Sequence, residues 1–138
     1  MDKIKIMEYI KLSDKLFWES IPPSSGIYFI YSLDDNGTPI ESKRLLGTDK
    51  GGVLYIGKSN HLRERLRMLW RVLNPEYKTT AHTFGLKYNT YAILRKYFPQ
   101  DKFAIKFEES KSPKELEKKH LENYLNTFGE VPPFNSSI

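Results

Sequence analysis

The chain contains no cysteine among its 138 residues. Disulfide bonds, thiolate metal sites and a cysteine nucleophile are therefore excluded. It also contains no apolar run near the ~20 residues that a membrane-spanning helix requires. Charges interrupt the apolar residues of the first segment, MDKIKIMEYIKL, so no signal-peptide core is predicted. We therefore expect an intracellular, cytoplasmic protein.

Two catalytic patterns are absent as well. No pair of histidines has the His-x-x-x-His spacing that is typical of a zinc site. No serine lies in a Gly-x-Ser-x-Gly nucleophile elbow. The sequence therefore argues against a histidine-based zinc enzyme and against an acyl hydrolase of the elbow type.

What the chain does contain is a moderate excess of positive charge. Its 22 Lys and Arg residues outnumber its 17 Asp and Glu residues, for a net charge of +5. This charge is compatible with a nucleic-acid partner, although many other proteins share it. The 39% of hydrophobic residues is typical of a folded globular protein. The length predicts one domain covering residues 1–138.

The N-terminal region predicts a helix followed by a strand. Mixed apolar and charged positions favour a helix over residues 3–20, within a helical extension of residues 1–22 that ends at Pro22-Pro23. The next residues are β-branched or aromatic and predict a strand over residues 26–31.

A polar segment separates this strand from the next strand and helix. Residues 34–52 contain the turn signal Asn36-Gly37 and are interpreted as an insertion, with a small hairpin as one option. A strand is predicted over residues 53–56. An apolar stripe then predicts a helix from residue 60 to residue 73, capped by Ser59 or Asn60.

The C-terminal region predicts two helices with a strand between them. A short helix is expected over residues 90–98, and alternation over residues 102–107 predicts a strand with one solvent-exposed face. Ser112-Pro113-Lys114-Glu115 is a capping box for a helix that runs to about residue 127 and ends at Gly129. Because strands and helices are interspersed, we expect an α/β or α+β domain around a short sheet.

Glu117 lies on the apolar side of this last helix. At 100° per residue it falls about 100° from Leu116, between Tyr124 at about 80° and Leu121 at about 140°. A carboxylate on a packed face requires a cation as partner. Both a structural ion pair and a metal-binding or catalytic role satisfy this requirement.

The arginines of the preceding basic helix divide into two groups. Relative to Leu62, Arg63, Arg67 and Arg71 fall at about 100°, 140° and 180°, whereas Arg65 falls at about 300°. The first three are typical of a solvated face, with contact to nucleic-acid phosphates as the alternative. Arg65 lies beside the core and is the better candidate for a fixed phosphate contact.

Three further candidate residues lie on or beside the predicted strands of residues 26–31 and 53–56. Lys58 follows Gly57 at the predicted strand-to-helix turn, where it is either an exposed loop lysine or a phosphate ligand. Tyr28 and Tyr55 lie on the two strands, and a buried tyrosine hydroxyl requires a hydrogen-bond partner. Sheet packing alone also accounts for both tyrosines.

Gly26-Ile27-Tyr28 followed by Tyr55-Ile56-Gly57 resembles the signature of the GIY-YIG endonuclease family. Arg65 matches the arginine that follows the second motif tyrosine by ten residues, and Lys58 matches the polar residue after the glycine. Glu117 matches the metal-binding glutamate, and Asn135 matches the terminal asparagine after a proline-rich turn. The resemblance covers residues 24–135.

This chain departs from the family pattern at two places. Residues 34–52 make the gap between the motifs much longer than usual. The insertion resembles those of the restriction-enzyme branch of the family, and a loop private to this chain is the alternative. Leu69 lies where many members have a His or Tyr one turn after the arginine. His82 is a candidate for the proton-transfer role, and the general base is left open.

The resemblance implies a small three-stranded antiparallel sheet flanked by helices and hydrolysis of phosphodiester bonds in DNA, either double-stranded or branched. Glu117 would hold one Mg²⁺ or Mn²⁺ ion, Arg65 would bind the phosphate, and Tyr28 would activate or orient the attacking water. Tyr55 and Lys58 would position that water, and Asn135 would tie the last loop to the site. One core-facing carboxylate predicts a single-metal mechanism rather than a two-metal one.

Other functions compatible with the sequence are a catalytically inactive nucleic-acid-binding module of the same fold, and an interaction domain that uses Trp18 and Trp70. A homodimer is also compatible, since a palindromic DNA site requires a dimer or two binding events.

Overall fold

The computed structural model describes residues 9–73 and 83–137, and these residues form a mixed α+β fold. The six strands are β1 (Ile10–Lys11), β2 (Gly26–Ser32), β3 (Ser42–Arg44), β4 (Gly47–Asp49), β5 (Tyr55–Ser59) and β6 (Phe103–Glu109). The four helices are α1 (Leu62–Leu73), α2 (Thr83–Thr90), α3 (Ala92–Tyr97) and α4 (Pro113–Phe128). Two 3₁₀ turns cover Phe17–Ser20 and Gln100–Lys102.

The central sheet is antiparallel, with the strand order β1-β6-β2-β5. Strand β2 lies between β5 and β6, as its run of β-branched and aromatic residues suits a strand buried on both faces. The sheet has four strands where the resemblance implies three, because Ile10 and Lys11 pair with Ile105 and Ala104 on the outer edge of β6.

The helix expected over residues 3–20 is wrong for the part that the structure describes. Residues 10–11 are extended, and only Phe17–Ser20 form a single 3₁₀ turn. Leu16 precedes that turn in the left-handed region, at φ 55°, which prevents a continuous helix. Residues 1–8 lie outside the described residues. Pairing of β1 with the edge of β6 satisfies backbone groups that a short isolated helix would leave exposed to solvent.

The insertion forms a hairpin in which β3 pairs with β4, as one interpretation of the sequence allowed. The hairpin packs on the C-terminal end of α4, where the N–H of Leu46 donates to the carbonyl of Phe128 over 2.9 Å. Buried Asp49 stabilises the turn that follows. Its carboxylate accepts hydrogen bonds from the N–H groups of residues 51, 52 and 53 and from the Tyr124 hydroxyl.

Helix α1 covers one face of the sheet with the predicted apolar stripe. Leu62, Leu66 and Leu69 are fully buried in the main core, together with Tyr28 and Ile30 of β2. The predicted caps Ser59 and Asn60 are wrong. The backbone N–H of Glu64 instead donates to the side chain of His61, whose Nδ1 lies 3.3 Å away.

The remaining helices and β6 differ from expectation in detail. Residues 83–90 form a helix that was not predicted from the sequence, and the helix predicted over 90–98 is interrupted at Tyr91. The predicted solvent-exposed face of β6 is wrong at Ala104, which is buried in a second apolar cluster beside Tyr31. Helix α4 begins at Pro113 as predicted, but Ser112 makes no side-chain cap hydrogen bond, so no capping box forms.

Candidate active site

Tyr28 and Gly57 are paired across β2 and β5. The Tyr28 ring occupies the space that a Cβ atom at position 57 would need, since such an atom would overlap the Cζ and hydroxyl oxygen of the ring. A residue without a side chain is therefore required where the tyrosine crosses the second motif strand. The two tripeptides of the sequence signature thus form one packed unit.

The hydroxyl of Tyr28 connects this unit to α1. Tyr28 is fully buried, and its hydroxyl is hydrogen-bonded to the Arg65 side chain. Burial raises the pKa of Tyr28 well above its usual value. The nearby Tyr55 raises it further, and Arg65 opposes both effects. The charge of Glu117 also raises this pKa, so Glu117 lies within electrostatic range of the tyrosine.

The positive charge of Arg65 is not neutralised by a carboxylate in the part of the chain that the structure describes. Its Nη1 lies 3.9 Å from the sulfur of Met68, which is a weak acceptor. Its Nε–H is buried without a hydrogen-bond acceptor, and Arg65 forms no salt bridge with any residue that the structure describes. Because a buried guanidinium N–H without an acceptor is costly, Arg65 is suited to bind an anion.

Lys58 and Glu117 form the second half of the site. The Nζ of Lys58 lies 3.8 Å from Oε1 of Glu117, and their side chains are 45% and 20% exposed. Burial raises the pKa of Glu117, and the positive charge of Lys58 lowers it by a smaller amount. The helical wheel was thus right to place Glu117 on the packed side. Lys58, however, lies within strand β5 rather than at a turn.

The two halves lie on opposite faces of the sheet. Side chains alternate between the faces of a strand, and paired residues share a face. Tyr28 and Tyr55 therefore face α1, whereas Lys58 is paired with Ile27 and faces α4. Gly57 lies between the two halves on the outer strand of the sheet.

Tyr55 is an aromatic spacer between the site and α2. Its ring centroid lies 6.1 Å from that of Tyr28 and 5.8 Å from that of Phe84. The chain of three rings packs α2 against the site. Phe84 is fully buried and also contacts the ring of Phe134 at 4.5 Å.

Asn135 pairs with the outer strand of the sheet. Its Oδ1 accepts from the N–H of Ile56, and its Nδ2 donates to the carbonyl of the same residue, both over 3.0 Å. The N–H of Phe134 donates to the carbonyl of Leu54 over 2.9 Å. The amide of Asn135 therefore fixes the last loop to β5, beside Gly57.

The three arginines predicted to contact nucleic acid differ from one another in the structure. Arg63 donates through Nε to the carbonyl of Ile21 over 2.7 Å, and the Arg67 guanidinium lies 5.6 Å from the centre of the Trp18 ring. Both hold the segment before β2 onto α1. Arg71 is exposed. His82 lies outside the described residues.

Sequence reasoning missed Asp49, which no motif marks and whose carboxylate fixes the insertion to α4. Residues 52–59, GVLYIGKS, also match the letter pattern of a phosphate-binding P-loop. They do not form such a loop, because residues 55–59 are a strand paired with β2.

Within the described ranges, no group of three or more His, Asp or Glu side chains is placed to hold a metal ion.

Comparisons with protein-family models, curated proteins and solved structures find no match for this chain. Among the helices of residues 9–73 and 83–137, none combines the length and apolar character needed to cross a membrane.

Proposed function

We propose that this chain is a divalent-metal-dependent endonuclease of the GIY-YIG type that hydrolyses phosphodiester bonds in DNA. The observation that carries the proposal is that two charged groups flank Gly57: Arg65 is hydrogen-bonded to Tyr28, which packs on Gly57, and Lys58, the residue after Gly57, is paired with Glu117. Arg65 is a cation without a carboxylate partner in the described part of the chain, and Glu117 is a part-buried carboxylate. Phosphodiester hydrolysis requires a cation for the phosphate and a ligand for the metal.

In this proposal Arg65 binds the non-bridging oxygens of the scissile phosphate. A guanidinium can donate to two oxygens at once, and its charge stabilises the negative charge that develops in the transition state. Tyr28 positions Arg65 through its hydroxyl. A direct role of Tyr28 as general base is disfavoured, because the residue is fully buried and burial raises the pKa of its hydroxyl.

Lys58 and Tyr55 support these two groups. The ammonium of Lys58 is half-exposed and weakly paired at 3.8 Å, so it can move from Glu117 to a phosphate oxygen. Tyr55 keeps Tyr28 over Gly57 by packing beside it. Asn135 holds β5 in register through Ile56. Lys58 would thus bind the substrate, whereas Tyr55 and Asn135 would hold Tyr28 and β5 in place.

The donor chemistry of Glu117 fits one Mg²⁺ or Mn²⁺ ion. Mg²⁺ is commonly held by one or two carboxylates together with water and substrate phosphate oxygens, so one carboxylate is sufficient. When bound, the ion would neutralise charge on the leaving oxygen. Lys58 occupies the position of a counter-ion beside Glu117 and would be released from it.

Arg71 is the best of the three remaining helix arginines for contact with the DNA backbone, because it is exposed. Arg63 and Arg67 are engaged with Ile21 and Trp18. We therefore expect Arg71→Gln to weaken DNA binding, with a smaller dependence of affinity on salt concentration.

A plasmid-nicking assay tests the proposed function. Wild type is expected to nick supercoiled DNA with Mg²⁺ and not with EDTA. Glu117→Gln and Arg65→Gln are each expected to lower the rate about 10²-fold or more, as loss of a transition-state contact does. Glu115→Gln is the matched control, because Glu115 is exposed on the same helix, and it is expected to keep the wild-type rate.

Equal nicking by wild type and Glu117→Gln, or no nicking by either, would overturn the assignment. The alternative is a nucleic-acid-binding module without activity. It is favoured by the Lys58–Glu117 ion pair, which balances both charges without a metal. DNA binding without nicking would support that alternative.

A further inference from the structure

Three large side chains on α3 or immediately before it are exposed to solvent. Tyr91, Ile93 and Tyr97 are 55%, 60% and 68% exposed. Ile93 and Tyr97 are four residues apart on α3 and so share a face of the helix. Tyr91 immediately precedes the helix as its N-cap. We name these three residues the α3 surface.

The tyrosines of the α3 surface differ from Tyr88 in their ring contacts. Neither Tyr91 nor Tyr97 is in ring contact with another aromatic residue of the described chain. Tyr88, by contrast, is buried and stacks on Phe84. Exposed aromatic side chains of this kind are available to contact a partner.

The charge around the α3 surface selects the kind of partner. Residues 77–100 contain no Asp or Glu, although the chain has 17 of them. The described part of this segment carries Lys87, Arg95 and Lys96, all exposed and none in a salt bridge with a described residue. An exposed segment that carries several positive charges and no acidic residue of its own complements a polyanion.

Nucleic acid is the polyanion that also uses exposed aromatic rings. Unpaired bases stack on tyrosine rings while neighbouring cations contact the phosphates, whereas the base faces of a duplex are covered by their neighbours. An exposed phosphate-binding helix without aromatic residues would serve a duplex equally well. The tyrosines therefore favour a single-stranded segment.

The α3 surface is connected to the candidate active site through α2. Phe84 packs against Tyr55 of the site. One turn later, Lys87 donates to the carbonyl of Pro133 over 3.1 Å, two residues before Asn135. Lys87 thus lies between the loop that holds β5 and the start of α3, where it can contact a phosphate between the two surfaces.

We propose that the α3 surface binds unpaired nucleotides of a nucleic-acid strand, with Tyr91 and Tyr97 as stacking platforms and Lys87 and Lys96 as phosphate contacts. The inference rests on the proposed function in taking DNA as the partner. It adds that the substrate contains a single-stranded segment next to the duplex, as a flap or a branch does.

Fluorescence anisotropy with a labelled 20-nucleotide single strand and with the corresponding duplex tests this proposal. The variants are Tyr91→Ala/Tyr97→Ala and the conservative Tyr91→Phe/Tyr97→Phe. The alanine variant is expected to bind the single strand ~10-fold more weakly or worse, and the phenylalanine variant as wild type, because the ring provides the stacking. Both variants are expected to bind the duplex within about two-fold of wild type.

Leu45→Ala/Leu46→Ala is the matched control, because these two leucines are 72% and 66% exposed on the β3–β4 hairpin. It is expected to bind the single strand as wild type. Unchanged single-strand binding by the alanine variant, or equal losses for single strand and duplex, would overturn the proposal. So would a wild-type dimer in light scattering that the alanine variant converts to a monomer, because the surface would then bind a second copy.

The two proposals fail in different ways. Single-strand binding that depends on Tyr91 and Tyr97, without any nicking, would support the proposal for the α3 surface and contradict the nuclease assignment. Nicking that depends on Glu117, together with tyrosine-independent binding, would do the reverse.

Discussion

The ring of Tyr28 fills the space that a side chain at position 57 would occupy. A methyl group there would overlap ring carbons that are fully buried and cannot move into solvent. We expect Gly57→Ala to lower the free energy of unfolding by about 1–3 kcal/mol, as overpacking of a core does. Urea denaturation measures the change.

Two further variants isolate the contact between Tyr28 and Gly57. In Tyr28→Ala/Gly57→Ala the ring is absent, so the double variant should lose less stability than the sum of the two single variants. Gly51→Ala is the control, since its nearest neighbour is one oxygen of the Asp49 side chain at 3.3 Å. Equal losses for Gly51→Ala and Gly57→Ala would contradict the overlap.

Asp49 is expected to be a main determinant of how the insertion is held. Its two carboxylate oxygens accept four hydrogen bonds, three from backbone N–H groups and one from Tyr124. Asp49→Asn keeps the size but turns an N–H₂ group toward donors. Since hydrogen bonds to charged groups contribute about 1.5–3 kcal/mol each, we expect a loss of about 2–3 kcal/mol in thermal or urea unfolding.

Tyr124→Phe provides the comparison for Asp49→Asn. It removes one of the four bonds and leaves the carboxylate with three, so we expect a loss of about 1.5 kcal/mol. If Tyr124→Phe lowers the free energy of unfolding more than Asp49→Asn does, the hydrogen bond between Tyr124 and Asp49 stabilises mainly α4 and not the turn at residues 51–53.

Substitution of Asn135 tests whether the last loop stabilises the edge strand β5. Asn135→Ala removes both hydrogen bonds to Ile56, and we expect a loss of about 1–2 kcal/mol. The amide proton of Ile56 should exchange with solvent faster than in wild type, which hydrogen-exchange NMR measures. Asn126→Ala, at an exposed position of α4, should stay within about 0.5 kcal/mol of wild type. Unchanged exchange at Ile56 would contradict the pairing.

The parts of the fold that follow from local chemistry were predictable. Pro113 suits the first turn of a helix, and Gly129 ends α4 in the left-handed region at φ 78°. Helical periodicity placed Glu117 on the packed side, where its side chain is 20% exposed. These predictions depend only on residues within one element.

The parts that depend on distant partners were not predictable. Ile10 and Lys11 are a strand because β6 offers an unpaired edge, and nothing in their own sequence distinguishes them from a helix. Asp49 and Tyr124 are 75 residues apart. Asn135 and Ile56 are 79 residues apart, and Asn135 was singled out by the family resemblance alone, not by a pattern in its own segment. Side-chain hydrogen bonds over such separations leave no periodic signal in the sequence.

Glu117 is expected to make the stability of the protein depend on pH. Burial raises the pKa of its carboxyl in the folded state above the ordinary value of 4.5, against the smaller opposing effect of Lys58. The folded protein therefore holds this proton more tightly than the unfolded chain. A group of this kind stabilises the fold below its unfolded pKa, and the stabilisation is lost as pH rises through the folded pKa.

Glu117→Gln removes this titration and keeps the shape of the side chain. The free energy of unfolding of the variant, relative to wild type, should therefore rise between pH 4 and neutral pH and then stay level. Repeating the comparison in a Lys58→Gln background removes the opposing charge, so the rise should extend to higher pH. A difference between wild type and Glu117→Gln that does not change with pH, or that increasingly favours wild type toward neutral pH, would show that the ion pair with Lys58 outweighs the burial of Glu117.

Added Mg²⁺ should stabilise wild type and leave Glu117→Gln unchanged in thermal unfolding, because only an ionised carboxylate binds the cation strongly.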